Sequence, residues 1–220
     1  MNDFTLVSGS KNYSSWSMRV GLMLAWTGVP FEEIVIHLDQ PDTRQRILEH
    51  SPAGKVPILK TGDVTVWDSL AISETLAERF PGMGLWPVDA AARAHARAVS
   101  SEVHAGFAAL RQEMPLDVRA EGRTVPITDA VSADIGRIQD IWIDCRERFG
   151  GAGDGGLLFG EFTIADAMFA PVVSRFRTYG VEVNSPARAY MDAVWNLSIV
   201  RTWHDAAMAE DYISNVYEIG

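Results

Sequence analysis

One cysteine, Cys145, stands in a chain of 220 residues. A lone thiol excludes an internal disulfide framework, a CxxC redox pair and a cysteine-based zinc site. A chain without disulfides fits a reducing, cytoplasmic compartment. Within the helically periodic stretch 141–149, Cys145 reads as a small buried hydrophobe. Long apolar runs are missing as well: the longest candidate, 20–26, falls far short of the roughly 18 residues a membrane span needs. The first residues carry Asp3 and no basic stretch, which speaks against a secretory leader. Positive charge is scarce, since 19 Lys and Arg against 29 Asp and Glu leave a formal net charge of −10. That balance argues against nucleic acid, whose phosphates reward a basic surface. A small anionic ligand remains compatible if helix N-termini and a few basic side chains supply local positive potential.

Catalytic signatures are sparse too. The five histidines, His37, His50, His95, His104 and His204, show no HExxH or other ligand spacing, so no metal is expected and all five read as structural or surface residues. There is no GxGxxG, P-loop or GxSxG, and the run 153–156 (Gly-Asp-Gly-Gly) reads as a loop. What is present is ordinary globular composition, 47% hydrophobic and 22% charged.

The first eighty residues alternate short strand and helix signals. Residues 4–7 read as a strand, a polar loop covers 8–13, and helical spacing from Ser15 ends at Gly28, Val29 and Pro30. The β-branched run 34–36 makes a second strand, so β-loop-helix-β implies a right-handed parallel crossover. A short helix at 43–49 and the loop 51–54 precede a proline-opened strand, 56–59. A turn at 61–63 and a partner strand, 64–67, complete a hairpin. Asp68 and Ser69 cap a helix that stops at Pro81-Gly82. The order βαβαββα is the layout of an α/β thioredoxin-like domain. After Pro87 strand signals nearly vanish: helices are expected over 89–110, 128–149, 163–179, 186–196 and 198–208, each behind a plausible cap. The composition shift predicts a thioredoxin-like domain over 1–81, a linker over 82–87 and an all-α helical bundle over 88–220.

Three places could carry chemistry. Ser14, Ser15 and Ser17 stand where a loop enters the first helix. One serine suffices for capping, which contributes about 1 kcal/mol. Alternatively, one hydroxyl points at a bound thiol and stabilises its thiolate. Lowering a thiol pKa from about 8.5 by two units takes about 2.7 kcal/mol. A partly buried helix N-terminus supplies up to ~2 kcal/mol, and a hydrogen bond to a charged group adds roughly 1.5–3 kcal/mol. Together these suffice without a protein cysteine or metal. Val56-Pro57, opening a strand beside a loop, is compatible with a cis peptide that frees the Val56 backbone to pair with an extended peptide ligand. At Asp68-Ser69 an N-cap competes with a binding role, in which Ser69 meets a carboxylate at the helix N-terminus and Asp68 accepts from an ammonium. Thr163-Ile164-Ala165-Asp166 has the form of a capping box with a structural role.

Taken together, the motifs over 14–20, 51–57, 68–72 and 162–166 resemble, in order and spacing, the cytosolic glutathione transferase superfamily over essentially the whole chain; 14–20 is most similar to the zeta-like, serine-type branch. The resemblance implies glutathione as co-substrate and a small electrophile as partner. It assigns Ser14, with Ser15 as fallback, to the sulfur. Val56 would pair with the cysteinyl unit across a cis bond to Pro57, Asp68 and Ser69 would hold the γ-glutamyl end, and Lys55 would reach a carboxylate. Tyr13, Arg175 and Tyr179 are candidates to line the acceptor site, and the family is usually homodimeric. Trp16 replaces the cysteine of the zeta motif, and the zeta isomerase's substrate-binding arginine has no clear counterpart, although Arg175 and Arg177 lie nearby; maleylacetoacetate isomerisation is therefore not expected. A non-catalytic binding or assembly module and a glutathione-dependent peroxidase or isomerase are the alternatives.

Overall fold

The computed structural model of the protein describes residues 3–151, 155–214 and 216–217; part of the loop expected over 153–156, residues 153 and 154, lies outside them. A four-stranded mixed sheet has the order β2-β1-β3-β4. Strand β1 (Phe4–Gly9) pairs in parallel with β2 (Glu32–Ile36) and antiparallel with β3 (Ile58–Thr61), and β3 forms a hairpin with β4 (Val64–Trp67). The parallel pair needs a crossover. Helix α1 (Ser15–Thr27) provides it, and Gly28 ends the helix at φ 67°, a left-handed cap that glycine adopts without a Cβ penalty. Strand alternation then sorts the core. Leu6 and Leu59 join the large apolar cluster with α1 and α3 (Ser69–Arg79), whereas Val7, Ile36 and Ile58 face Ile47 of α2 (Thr43–Leu48) on the other side.

The rest of the chain is helical: α4 (Ala90–Ala105), α5 (Ala108–Glu113), α6 (Asp129–Phe149), α7 (Ile164–Thr178), α8 (Ser185–Trp195) and α9 (Ser198–Met208). Helix α7 is buried nearly all round and packs against α1, α4 and α8. Its start is fixed by Asp166, whose carboxylate accepts from the Thr163 N–H at 2.9 Å, the Thr163 hydroxyl at 3.0 Å and the Leu158 N–H at 3.1 Å.

Two expectations are corrected. The helix over 89–110 is broken at Gly106 and Phe107. Phe107 adopts φ 58°, and a Cβ at Gly106 would lie 2.8 Å from the Glu102 carbonyl oxygen. Helix α5 restarts because Asp134 of α6 accepts from the Leu110 N–H at 3.0 Å, a partner remote in sequence. Helix α9 has Leu197 in the cap position, with no side-chain cap.

Candidate functional site

Two cavities, of about 420 and 600 Å³, open between the sheet end and the helices, and both are lined by Trp16, Lys55 and Val56. The smaller is walled by Tyr13, Ser14, Ser15, Arg111, Arg175 and Tyr217; the larger by Pro57, Trp67, Asp68, Ser69 and His104.

Ser14 is the N-cap of α1. Its hydroxyl oxygen accepts from the Ser17 N–H at 3.3 Å and lies 2.8 Å from the Ser17 hydroxyl, which in turn accepts from the Gly9 N–H at 2.9 Å. Capping and cavity lining therefore coincide in one side chain. The Ser15 hydroxyl has no hydrogen-bond partner among the described residues and also faces the cavity. The first-turn N–H groups of α1 and the positive end of its dipole point the same way.

The Val56-Pro57 peptide is cis. Val56 stands two residues before Ile58, where the β1–β3 register ends, and so lies outside the paired ladder. The side chain of Lys55 has no ion-pair partner among the described residues. Asp68 caps α3 from a left-handed backbone, φ 73°: one carboxylate oxygen accepts from the Leu70 and Ala71 N–H groups at 2.9 and 3.3 Å, and the other lies 3.1 Å from His104 Nε2. An aspartate held at positive φ costs about 1–3 kcal/mol, the kind of strain that collects at ligand clamps. Beside it, Ser69 is buried and its hydroxyl has no protein partner; His104 Nδ1 is likewise buried and unpartnered. Desolvation holds the His104 pKa below its ordinary value. The neutral ring donates to Asp68 and keeps Nδ1 as an acceptor.

The smaller cavity is cationic on one side. Arg111 Nη2 donates to carbonyls in the last turn of α4, those of Val103 and, at 3.3 Å, His104. The Arg111 guanidinium lies 4.9 Å from the Trp16 ring centroid, and Arg19, buried beneath, lies 4.3 Å from it. Arg175 donates to the Met114 carbonyl at 2.7 Å, and burial lowers its pKa to about 10. It makes no ion pair among the described residues. Burial and the neighbouring Arg111 push Arg19 down as well. Three cations thus meet with little anionic compensation, an arrangement that favours a bound anion.

The C-terminal residues close the rim. The Tyr13 hydroxyl accepts from Arg119 Nη2 at 2.9 Å and from the Ser214 N–H at 3.2 Å, while its ring stacks on Tyr217 at 5.3 Å. Burial, helped by Asp39, pushes the Tyr217 phenol up to about 12. Tyr179 is outside the lining of both cavities; its hydroxyl donates at 3.1 Å to the carbonyl of Pro115, which lines the smaller one. Cys145 is buried with its thiol pushed up to about 12, which makes it inert. Among the described residues no group of three or more His, Cys, Asp or Glu could hold a metal ion, and no helix is long and apolar enough to cross a membrane.

Trp16, His104, Arg111 and Tyr217 are among the wall residues that the sequence reading did not assign to the site. No motif marks Arg111 or Tyr217, and His104, grouped with the structural histidines, enters the cavity only through the packing of α4 on α3.

Comparison with known proteins gives a consistent picture. A family model described as glutathione S-transferase, N-terminal domain, matches residues 13–79, and one described as glutathione S-transferase, C-terminal domain, matches residues 90–193. Glutathione S-transferase Z2 of Arabidopsis thaliana is 30% identical over 175 residues, 74% of each chain. A Caenorhabditis elegans protein named "Probable maleylacetoacetate isomerase" is 38% identical over 94 residues, 43% of this chain and 44% of that one. Among solved structures, a bacterial maleyl pyruvate isomerase described as a zeta-class glutathione S-transferase superposes with TM-score 0.72 at 25% identity, over 94% of this chain and 100% of that one.

Proposed function

Since the chain belongs to the glutathione S-transferase superfamily, on its zeta-like branch, we propose that it binds glutathione across the two cavities and adds the thiolate to a small, anionic electrophile. The observation that carries this reading is the shared wall at Trp16, Lys55 and Val56: it joins a serine-lined helix N-terminus to a second helix N-terminus bearing an unpartnered buried hydroxyl. Ser69 and the N-terminus of α3 take the γ-glutamyl carboxylate, and Asp68 accepts from its ammonium. The Val56 backbone pairs with the cysteinyl unit, with Pro57 behind it, and Lys55 reaches a terminal carboxylate. Residues 1–81 form the glutathione-binding domain and 88–220 the helical one.

Glutathione supplies the sulfur nucleophile, and the chain's own groups hold it ionised. Ser14 donates its hydroxyl proton to the sulfur, Ser15 stands as a second donor, and the N-terminus of α1 adds positive potential. Arg111 and Arg175 face the same cavity and orient a carboxylate of the acceptor. That pair favours isomerisation as a second reading: thiolate addition to a conjugated double bond, rotation and expulsion of the thiolate also begins with an anionic, polarised acceptor. Tyr13 contributes an aromatic wall. A homodimer in the cytoplasm, where glutathione is kept reduced, is the expected setting.

The test is calorimetry with glutathione, followed by turnover of carboxylate-bearing and neutral electrophiles by wild type, Ser14→Ala and Ser15→Ala. Glutathione should bind to all three. Removing a donor to a developing charge costs about 10²–10³ in rate, and the larger loss is expected for Ser14→Ala. Binding with no turnover of any acceptor would leave a non-catalytic module. No association at millimolar glutathione would reject the reading.

A further inference from the structure

Ser14 faces an accounting problem. Its hydroxyl carries one proton and two acceptor sites. With the proton donated to Ser17, 2.8 Å away, none remains for a ligand sulfur. Reversal solves this. Ser17 accepts from the Gly9 N–H at 2.9 Å, so its own proton is free to point at Ser14. Ser14 then accepts from the Ser17 hydroxyl and the Ser17 N–H, both acceptor sites are filled, and its proton is released toward the cavity. Between two hydroxyls at hydrogen-bonding distance, either can be the donor.

A second observation identifies the same unit. Gly9, the last residue of β1, abuts Ser14 so closely that a Cβ there would lie 2.9 Å from the Ser14 Cβ and 3.1 Å from its Oγ. Strand end and helix cap are thus locked together, with Ser17 fully buried between them. The need for glycine at position 9 comes from this approach, because its backbone is not left-handed.

We propose that Ser17 is a positioning residue for the sulfur-facing hydroxyl: the chain from Gly9 N–H through Ser17 to Ser14 turns the Ser14 proton into the cavity and strengthens it as a donor. The inference rests on the reading that Ser14 holds the glutathione sulfur. Polarisation along a hydrogen-bond chain strengthens each bond by about 10–30%. Added to the loss of the orienting partner, that amounts to roughly half to one pKa unit on the bound thiol.

The experiment follows the ultraviolet thiolate absorbance of enzyme-bound glutathione against pH in wild type, Ser17→Ala, Ser17→Cys, Ser14→Ala and the double variant Ser14→Ala/Ser17→Ala. Ser17→Ala should raise the bound thiol's pKa by about half to one unit. Ser17→Cys, nearly isosteric and a weak donor, should shift it the same way and guards against loss of folding in the alanine variant. In the Ser14→Ala background, Ser17→Ala should add nothing, because its effect passes through Ser14. If both Ser17 variants lower the melting temperature yet leave the pKa unmoved while Ser14→Ala raises it, the positioning role is overturned and the sulfur reading stands. An equal Ser17 shift in both backgrounds overturns the relay. A Ser14→Ala variant whose bound thiol titrates as in wild type sinks both.

Discussion

At the scale of single residues the site can be probed by removing groups that do nothing for the free protein. The Ser69 hydroxyl is buried without a partner, so Ser69→Ala removes an unsatisfied polar atom and should leave unfolding free energy within about 0.5 kcal/mol of wild type. Glutathione affinity should nevertheless fall by roughly 10–150-fold, the loss of one hydrogen bond to a charged group, read by calorimetry. Unchanged affinity would mean that the hydroxyl faces no ligand. Arg111→Gln should raise KM for a carboxylate-bearing acceptor by roughly tenfold or more and leave a neutral one unaffected, since a charge-assisted bond is removed from only one of the two. Caps such as Ser14 and Asp68 were legible in the sequence because a cap is written in adjacent residues. Arg111 was not: its place beside Trp16 depends on the left-handed Phe107, where the chain breaks and restarts as α5. Nor was Tyr179 legible, since nothing local says that its hydroxyl is spent on Pro115.

Among the elements, those with strong punctuation could be read directly. Helices α1 and α3 show their caps and stops, and the hairpin shows its turn, with Gly62 at φ 57°. The break in α4 could not be read, because alanine-rich spacing continues through it and the restart of α5 is supplied by Asp134 from another helix. Two predictions belong here. Gly21 lies in the middle of α1, where alanine would normally stabilise by about 1 kcal/mol. A Cβ there would meet the Trp203 ring of α9 at 2.2 Å. The clash should win, so Gly21→Ala is expected to lower stability by about 1–3 kcal/mol in denaturant titration. The second concerns the start of α7, where burial raises Asp166 to about 6 despite its hydrogen bonds. Between that value and the ordinary carboxylate range near 4, the native state holds a proton that the unfolded chain has released. The contribution of Asp166 to stability should therefore rise as pH falls from about 6 towards 4. It appears as the difference between wild type and Asp166→Asn in unfolding free energies measured across that window; a difference independent of pH would contradict it.

For the whole molecule, the sheet order decides what remains uncovered. Strand β4 is at an edge, with Val64 50% and Trp67 48% exposed. An edge strand that shows large apolar side chains invites pairing or cover. Trp67 also forms part of the wall of the larger cavity, beside Asp68 and Ser69. A second copy of the chain laid over this edge would cover Trp67 and narrow the mouth of the larger cavity, the proposed γ-glutamyl site, coupling assembly to ligand affinity. Sedimentation should then find wild type at twice the chain mass. Val64→Glu, which places a charge on the edge without touching either cavity lining, should sediment as a monomer and bind glutathione more weakly. A wild type that stays monomeric at every concentration, or a monomeric Val64→Glu with undiminished affinity, would show that each chain completes its own site. The net charge of −10 works against self-association through repulsion, and the Debye length shrinks from about 30 Å at 0.01 M salt to about 10 Å at 0.1 M. Because apolar cover is insensitive to that screening while like-charge repulsion is not, raising salt across this range should tighten the dimer. Loosening instead would point to an interface held by ion pairs.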